Sequence, residues 1–366
     1  MANLLNHIEI KNFKSIKHID TTCKRVNVFI GKPNVGKSNI LEALGLLGAE
    51  YSISDEKKLS EFIRYEDISN LFYDDDLLNI IEVNTDKASA VMRYHNNNID
   101  QADLFVGSIK LIKDILNVKS SIGDIQNEFI KAKKFNISTK KEFIDPYYTA
   151  IHSDGKAGLD SHLSANSNSN PIKKYLFSHT RIDNKFPHYL LPPAGNNLFT
   201  IVDHNKDLRK EISEIFSDYG LSFVASKKES KFEIQKNVDG YITRYNYSSI
   251  ADTFQRLIFY YAAIDSNKNS VLILEEPEVH SFPPYTQELS NRIIDSKDNQ
   301  FFITTHSPYL LQNLISNLDI EELNVFITYF EKYETKIKRL TGEDLKKVSG
   351  FSIDLFYNLD QFIPHA

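Results

Sequence analysis

The octapeptide Gly31-Lys32-Pro33-Asn34-Val35-Gly36-Lys37-Ser38 fits the pattern G-x-x-x-x-G-K-[ST]. An apolar run over residues 26–30 precedes it and predicts a buried strand, and residues 39–44 open a predicted helix. A glycine-rich turn between a strand and a helix places consecutive backbone N–H groups around phosphate oxygens. The sequence therefore predicts a phosphate-binding loop in a protein of the α/β class.

Each part of this loop has an expected role in binding ATP. Lys37 is expected to reach the β- and γ-phosphates, and Ser38 is expected to ligate Mg²⁺. The positive end of the helix dipole adds to the attraction for phosphate. The nucleotide-binding residues predicted in this segment are Gly31, Asn34, Val35, Gly36, Lys37, Ser38 and Asn39.

A second apolar run, residues 271–274, ends in the adjacent carboxylates Glu275 and Glu276. Two like charges at the end of a buried strand cost free energy unless a cation lies beside them. We predict that Glu275 holds Mg²⁺ through water and that Glu276 orients and deprotonates the attacking water. The alternative interpretation is an exposed acidic turn, because Pro277 and Glu278 follow at once.

A third apolar strand is predicted at residues 301–307, and it delivers His306 near its carboxyl end. A single histidine on an apolar strand is usually a hydrogen-bonded core residue. Here its neighbours are polar and the strand is expected to lie beside the acidic one, so we predict that His306 senses the γ-phosphate. His280, four residues after Glu276, is a candidate for a subunit contact.

Composition limits the class of protein. Among 366 residues a single cysteine, Cys23, excludes an intrachain disulfide and fits a reducing cytosol. Neither a signal peptide nor a membrane-spanning run is evident, so we expect a cytoplasmic protein. The net charge of −6 argues against general nucleic-acid coating, although residues 92–186 carry 14 Lys/Arg against 10 Asp/Glu, a local balance of +4.

About 240 residues separate Lys37 from Glu276, far more than neighbouring strands require. We therefore predict an insertion: an N-terminal lobe at 1–92, a helical insertion or lid at 93–186, and a C-terminal lobe at 187–366. The helical expectation comes from apolar spacings of three and four, and residues 164–170 are expected to be a low-complexity loop. The residues with those spacings are Phe105, Ile109, Ile112, Leu116, Val118, Ile122, Ile125 and Phe129.

The combined motifs resemble the soluble, non-transporter branch of ABC-type ATPases, which includes RecF, the heads of structural-maintenance-of-chromosomes (SMC) proteins and the ATPase half of OLD-family nucleases. The matching stretches are residues 8–15, 31–44, 272–280 and 303–308. The resemblance implies an ABC-type P-loop ATPase head with a mixed β-sheet core and an inserted helical subdomain. It also implies that Lys14 contacts the adenine end of the nucleotide, beside a Phe13 that fits the core equally well.

The same resemblance implies a homodimer or higher oligomer in which ATP is sandwiched between protomers. Each protomer would donate a signature motif at a helix N-terminus, which should fall within residues 248–256. That segment contains no glycine, and two registers stay open: the serine pair ending at Ser249, or Asp252 with Thr253.

The sequence is compatible with three functions. The first is an ATP-switched regulatory or sensor subunit that works with a separate effector encoded nearby, as in bacterial anti-phage defence. The second is a RecF-like ATPase that binds DNA ends through the mildly basic insertion. The third is a nucleotide-locked scaffold with little turnover. The cofactors expected in each case are ATP and Mg²⁺.

Overall fold

The computed structural model describes residues 4–51, 59–95, 101–117, 122–139, 142–152, 170–179, 185–350 and 355–363. Most of the predicted low-complexity loop, and Val118 of the apolar stripe, lie outside the described residues. Among the described residues, no helix is both long and apolar enough to cross a lipid bilayer.

Strands occur in groups along the first part of the described chain and mostly alternate with helices after residue 246. The strands are β1 His7–Phe13, β2 Ile16–Thr22, β3 Val26–Ile30, β4 Ile81–Thr85, β5 Ser89–His95, β6 Gln101–Gly107, β7 Tyr147–His152, β8 Ile172–Tyr175, β9 Ser222–Ser226, β10 Lys231–Val238, β11 Tyr241–Asn246, β12 Val271–Glu275, β13 Gln300–Thr304, β14 Leu323–Glu331 and β15 Glu334–Arg339. The helices are α1 Lys37–Gly45, α2 Ile109–Asn117, α3 Ile122–Thr139, α4 Leu198–His204, α5 Lys206–Ser217, α6 Asp252–Ser266, α7 Pro283–Asp295, α8 Pro308–Asn317 and α9 Gly342–Gly350.

The sheet that carries the predicted motifs is mostly parallel. Its order is β15-β14-β3-β13-β12-β8, with β15 antiparallel to β14 and the other neighbours parallel. All five residues of β3 and all five of β13 are buried, which is why these strands are mostly apolar in the sequence, with Asn27, Gln300 and Thr304 as the polar exceptions. Because β3, β12 and β13 run in the same direction, their carboxyl ends meet at one edge of the sheet.

Two further sheets complete the described architecture. The first half of the chain forms an antiparallel sheet of order β2-β1-β4-β5-β6-β7. The strands β9, β10 and β11 form a separate antiparallel sheet with β10 in the centre. Together with the helices these sheets make the predicted α/β head with a mixed β core.

Alternate residues of β3 belong to two apolar clusters on opposite faces of the parallel sheet. Val26, Val28 and Ile30 join the cluster that includes helices α4 to α9. Phe29 joins the cluster that includes α1 and the antiparallel sheet. The helix that follows the phosphate loop is thereby packed between the two large sheets.

The predicted helical insertion is only partly helical. The prediction that Phe105 begins a helix is wrong, because Phe105 lies in β6 and the helix α2 starts at Ile109. Helices α2 and α3 are inserted between β6 and β7, and they cover the antiparallel sheet through a third apolar cluster that contains Phe105 and Phe129. Strand β8, also within residues 93–186, pairs with β12 in the parallel sheet. The boundaries at residues 92 and 186 stay predictions.

Candidate functional site

The predicted phosphate loop joins β3 to α1 with two glycines in unusual backbone conformations. Gly36 has a φ of 91°, which L side chains rarely adopt, and a Cβ there would lie 2.1 Å from Thr335 Oγ1. A Cβ on Gly31 would lie 2.2 Å from the Thr328 carbonyl oxygen. Both positions therefore require glycine, and the strands β14 and β15 supply the close neighbours.

A short hydrogen-bond chain ties the loop to distant elements. Thr335 Oγ1 donates to the Val35 carbonyl at 2.9 Å and lies 2.7 Å from the Ser15 hydroxyl. The Asn39 amide donates to the same Ser15 oxygen at 2.7 Å. In this structure Asn39 therefore supports the loop from behind, through a residue of the β1–β2 turn.

The side chain of Lys37 folds back over the loop. Its Nζ donates to the carbonyl oxygens of Gly31 at 3.1 Å and Lys32 at 2.8 Å, and the residue is 5% exposed. Burial lowers the pKa of Lys37, while the charges of Glu276 and Glu275 act in the opposite direction. The loop lysine and both predicted carboxylates thus belong to one electrostatic environment.

The acidic strand and the histidine strand are neighbours in register, with Glu275 of β12 opposite Thr304 of β13. Glu276 follows at a φ of 42°, and its N–H donates to the Thr304 carbonyl at 3.0 Å. This geometry brings Glu276 Oε1 to 3.6 Å from His306 Nε2. Burial and the nearby Lys37 lower the pKa of His306, and Glu276 opposes them, so the ring favours its neutral form.

The Glu278 side chain holds the segment around His306 in place. It is 8% exposed, and its Oε1 accepts hydrogen bonds from Thr305 Oγ1 at 2.6 Å and from the His306 N–H at 2.9 Å. Burial raises the pKa of Glu278, which those hydrogen bonds oppose. The buried position of Glu278 counts against the exposed acidic turn considered from the sequence.

A cluster of alternating charges surrounds the predicted magnesium ligand. The Arg64 guanidinium bridges Glu275 and Glu42, with 3.0 Å between Arg64 Nε and Glu42 Oε1. Lys14 pairs with Glu42 and donates to the Arg64 carbonyl at 2.5 Å. Lys174, almost wholly buried, lies 4.0 Å from Glu275. Lys14 is thus engaged by protein groups, and its predicted adenine contact stays a prediction.

The candidate signature residues form a separate cluster with His280. Asp252, the first residue of α6, accepts hydrogen bonds from Arg256 Nε at 2.6 Å and His280 Nδ1 at 2.9 Å. Thr253 Oγ1 donates to the His280 carbonyl at 2.5 Å. Ser249, which is exposed, ends a 3₁₀ turn three residues before α6. In the described part of the chain no hydrogen bond joins this cluster to the phosphate loop.

The residues present fit a magnesium ion. Hydroxyl and carboxylate oxygens are the ligands Mg²⁺ accepts in nucleotide sites, and Ser38 and Glu275 supply one of each. Within the described residues the Ser38 hydroxyl has no hydrogen-bond partner, so its oxygen is available, and Glu275 is held only by cationic side chains. Ser38 and Glu275 would hold the ion, which would neutralise phosphate charge when bound.

Sequence reasoning missed several residues at this site, including Arg64, Glu278 and Thr335. It also missed a C-terminal segment that borders the loop: Asp360 pairs with Lys32 at 2.8 Å, and the Phe356 ring centroid lies 6.5 Å from that of His306. The acidic turn at Glu278 was visible in the sequence, but its burial was not.

The sequence of this chain is similar to those of several known proteins. The family described as "AAA domain, putative AbiEii toxin, Type IV TA system" matches residues 26–312, which include all three motif strands. Endonuclease GajA of Bacillus cereus (strain VD045) is 22% identical over 349 residues, covering 84% of this chain and 56% of that protein. The DNA replication and repair protein RecF of Geotalea uraniireducens (strain Rf4) is 25% identical over 174 residues, covering 43% and 47%. The chain spans about half the length of these curated relatives.

Among solved structures, an SMC head domain with an extended coiled coil, bound to the C-terminal domain of ScpA and derived from Pyrococcus furiosus, is 12% identical with a TM-score of 0.48. It covers 95% of this chain and 99% of that one. The SMC head domain from Thermotoga maritima, also 12% identical, covers 92% and 99% with a TM-score of 0.40.

Proposed function

Since the chain belongs to the family described as an AAA domain, putative AbiEii toxin, Type IV TA system, we propose that it binds ATP with Mg²⁺ and hydrolyses it to ADP and phosphate. The chain lies within the RecF-, SMC- and OLD-like branch of ABC-type P-loop ATPases. The observation that carries this proposal is the convergence of Lys37, Glu276 and His306 at one sheet edge from segments about 240 and 30 residues apart.

The chemistry divides among the residues as follows. Loop N–H groups and Lys37 bind the phosphates, so that the γ-phosphate lies near the ends of β12 and β13. Glu276 accepts a proton from the attacking water and orients it. His306, neutral and 3.6 Å from Glu276, donates a hydrogen bond to the γ-phosphate and reports its presence. Glu278 acts through His306, because it holds the backbone of that residue.

We further propose that ATP assembles two protomers, with Ser249, Asp252 and Thr253 of one facing the nucleotide of the other. The exposure of Ser249 and of the His280 side chain supports this arrangement. ATP would then act as a switch between separate and joined heads, and hydrolysis would reset it.

The biological role we propose is that of a regulatory or sensor subunit with a separate effector, in bacterial anti-phage defence. The family description names a toxin–antitoxin system, in which two proteins act together. The match to Endonuclease GajA covers 84% of this chain but only 56% of that protein, so part of GajA has no counterpart in this chain. Co-purification with the product of a neighbouring gene would support a separate effector.

The test of the catalytic proposal is a steady-state phosphate-release assay on Glu276→Gln, beside Glu321→Gln as a matched exposed control. We expect Glu276→Gln to lose turnover by about 10²-fold or more while still binding ATP, because the amide cannot accept the proton. The control should hydrolyse ATP like the wild type. Normal hydrolysis by Glu276→Gln would remove Glu276 from the mechanism.

A second candidate function is DNA-end binding, favoured by the match to RecF, a DNA replication and repair protein. The positive balance of residues 92–186 would supply the contacts. Binding to duplex DNA should then fall steeply as salt rises. Absence of binding at low salt, with and without ATP, would exclude this function.

A further inference from the structure

A cavity of about 390 Å³ lies beside the first turns of α6, away from the phosphate loop. Its walls are aromatic on two sides. Phe177 and Phe259 form one side, with ring centroids 5.6 Å apart. Phe199, Phe232 and Tyr247 form the other, at 5.1 Å and 5.5 Å between successive rings. Phe259 is 1% exposed and Phe232 is 5% exposed, so both of these lining rings are buried.

Polar side chains also line the cavity. They offer hydroxyl, amide and imidazole groups that both donate and accept hydrogen bonds: Ser178, His179, Asn196, Ser248 and Gln255. The cation in the lining, Lys231, is already neutralised by Glu229 at 2.6 Å and Glu233 at 3.0 Å. The site therefore offers no excess positive charge to a phosphate.

We propose that this cavity binds an uncharged planar heteroaromatic molecule of the nucleobase or nucleoside class. Aromatic faces on two sides suit a flat ring, which stacks or packs edge to face with them. Polar side chains in the lining suit a ring that carries its own donors and acceptors, and a lysine already paired with two carboxylates disfavours a charged nucleotide. The volume lies within the range of small-molecule sites, which are mostly apolar with a few placed polar groups.

The cavity also touches both sides of the candidate signature segment. Tyr247 and Ser248 come just before Ser249, and Gln255 comes just after Thr253. The Gln255 amide donates to the Ile250 carbonyl at 3.0 Å, which closes the segment into a loop whose two ends line the cavity. A bound ring would hold this loop in one conformation, so ligand binding would change ATP-dependent assembly. This coupling rests on the proposed function, whereas the binding itself does not.

Ligand-observed saturation-transfer NMR tests the binding, with adenosine, guanosine, cytidine and thymidine as probes. The measurements use Glu276→Gln saturated with ATP and Mg²⁺, so that the phosphate-loop site is already occupied and does not take up the nucleoside. We expect at least one nucleoside to bind with Kd below about 1 mM. Ala194→Phe should fill the cavity and abolish binding, and Phe199→Ala should weaken it about tenfold or more.

The matched control is Tyr241→Ala, which removes an aromatic ring that is 82% exposed and outside the cavity. It should bind the nucleoside like the parent protein. Thermal melting of every variant checks that it is folded. If Ala194→Phe does not fold, the binding measured for Phe199→Ala tests the cavity assignment alone. The proposal is overturned if none of the four nucleosides binds, or if binding survives in Phe199→Ala unchanged.

The coupling between nucleoside binding and ATP-dependent assembly is measured in a separate experiment. Sedimentation gives the dimer fraction of Glu276→Gln in the presence of ATP, with and without the nucleoside. A several-fold shift in the ATP-dependent dimer fraction is expected, and an unchanged fraction overturns the coupling. If the wild type neither binds nor hydrolyses ATP yet the nucleoside binds, the proposed function fails while the cavity assignment stands.

Discussion

At the scale of single residues, the site depends on buried polar groups whose partners come from distant positions. The positions of Glu276 and His306 were predictable because each follows an apolar run, and that of Lys37 because it belongs to a glycine-rich motif. Thr335 was not, because it bonds to Val35 across 300 positions of sequence. Arg64 was likewise invisible, since only the folded chain brings its guanidinium to Glu42 and Glu275.

Removing the Glu278 carboxylate should destabilise the protein and impair the site together. In Glu278→Ala the Thr305 hydroxyl and the His306 N–H lose their buried acceptor, which costs about 2–3 kcal/mol of unfolding free energy. We expect a lower urea midpoint and slower ATP hydrolysis. Glu321→Ala, at an exposed position, should change neither, and a Glu278→Ala protein as stable as that control would contradict the account.

Burial of Lys173 makes the stability of the protein depend on pH. The residue is 4% exposed, its Nζ donates to Ser270 Oγ at 2.9 Å, and burial lowers its pKa from 10.5 to about 7. Between these two values the unfolded chain binds a proton that the folded chain does not, so stability rises with pH.

We therefore expect Lys173→Met to be more stable than the wild type at pH 7 by about 2–4 kcal/mol. The difference should shrink as the pH approaches 10.5. Chemical denaturation at several pH values measures it, with Lys268→Met as an exposed control. A constant difference across this range would mean that Lys173 is not buried as a neutral amine.

At the scale of elements, the buried parallel strands were easier to predict than the strands inside the insertion. β3, β12 and β13 are mostly apolar runs of five residues, as expected for strands buried on both faces of a sheet. The region from Phe105 to Ile112 misled the prediction because β6 is buried along most of its length and a helix begins two residues after it ends. An apolar run without alternation cannot distinguish these two elements.

The loop between β3 and α1 should tolerate no side chain at Gly36. Gly36→Ala places a Cβ against Thr335 Oγ1 and keeps a φ of 91°, so we expect a loss of about 1–3 kcal/mol and of ATP binding. Adding Thr335→Ala removes the hydroxyl contact and should recover part of the stability. Gly240→Ala, where φ is 82° and the space is open, separates the backbone effect from the contact.

At the scale of the whole molecule, the site is built by both ends of the chain. The N-terminal part supplies the phosphate loop, and the C-terminal part supplies the carboxylates and the histidine. The candidate signature cluster around Asp252 has no hydrogen bond to the loop within the described residues, which is why a partner protomer is proposed to complete the site.

Asp252→Ala should therefore abolish ATP-dependent assembly while the protein stays folded. It releases His280 and Arg256, and it costs only about 1 kcal/mol of stability because Asp252 lies at a partly exposed helix start. In the Glu276→Gln background we expect the ATP-dependent dimer seen by sedimentation to be lost. Asp298→Ala, an exposed substitution, should dimerise normally. A dimer that persists in Asp252→Ala would exclude this face.

The position of β3 has a practical consequence. It lies between β14 and β13, although it precedes both by well over 250 residues. A chain cut between β7 and β8 would leave a front fragment without its flanking strands and a back fragment with a gap where the central strand belongs. Neither piece alone could form a working head, and co-expression should restore one, so the molecule is a natural candidate for a split-protein reporter.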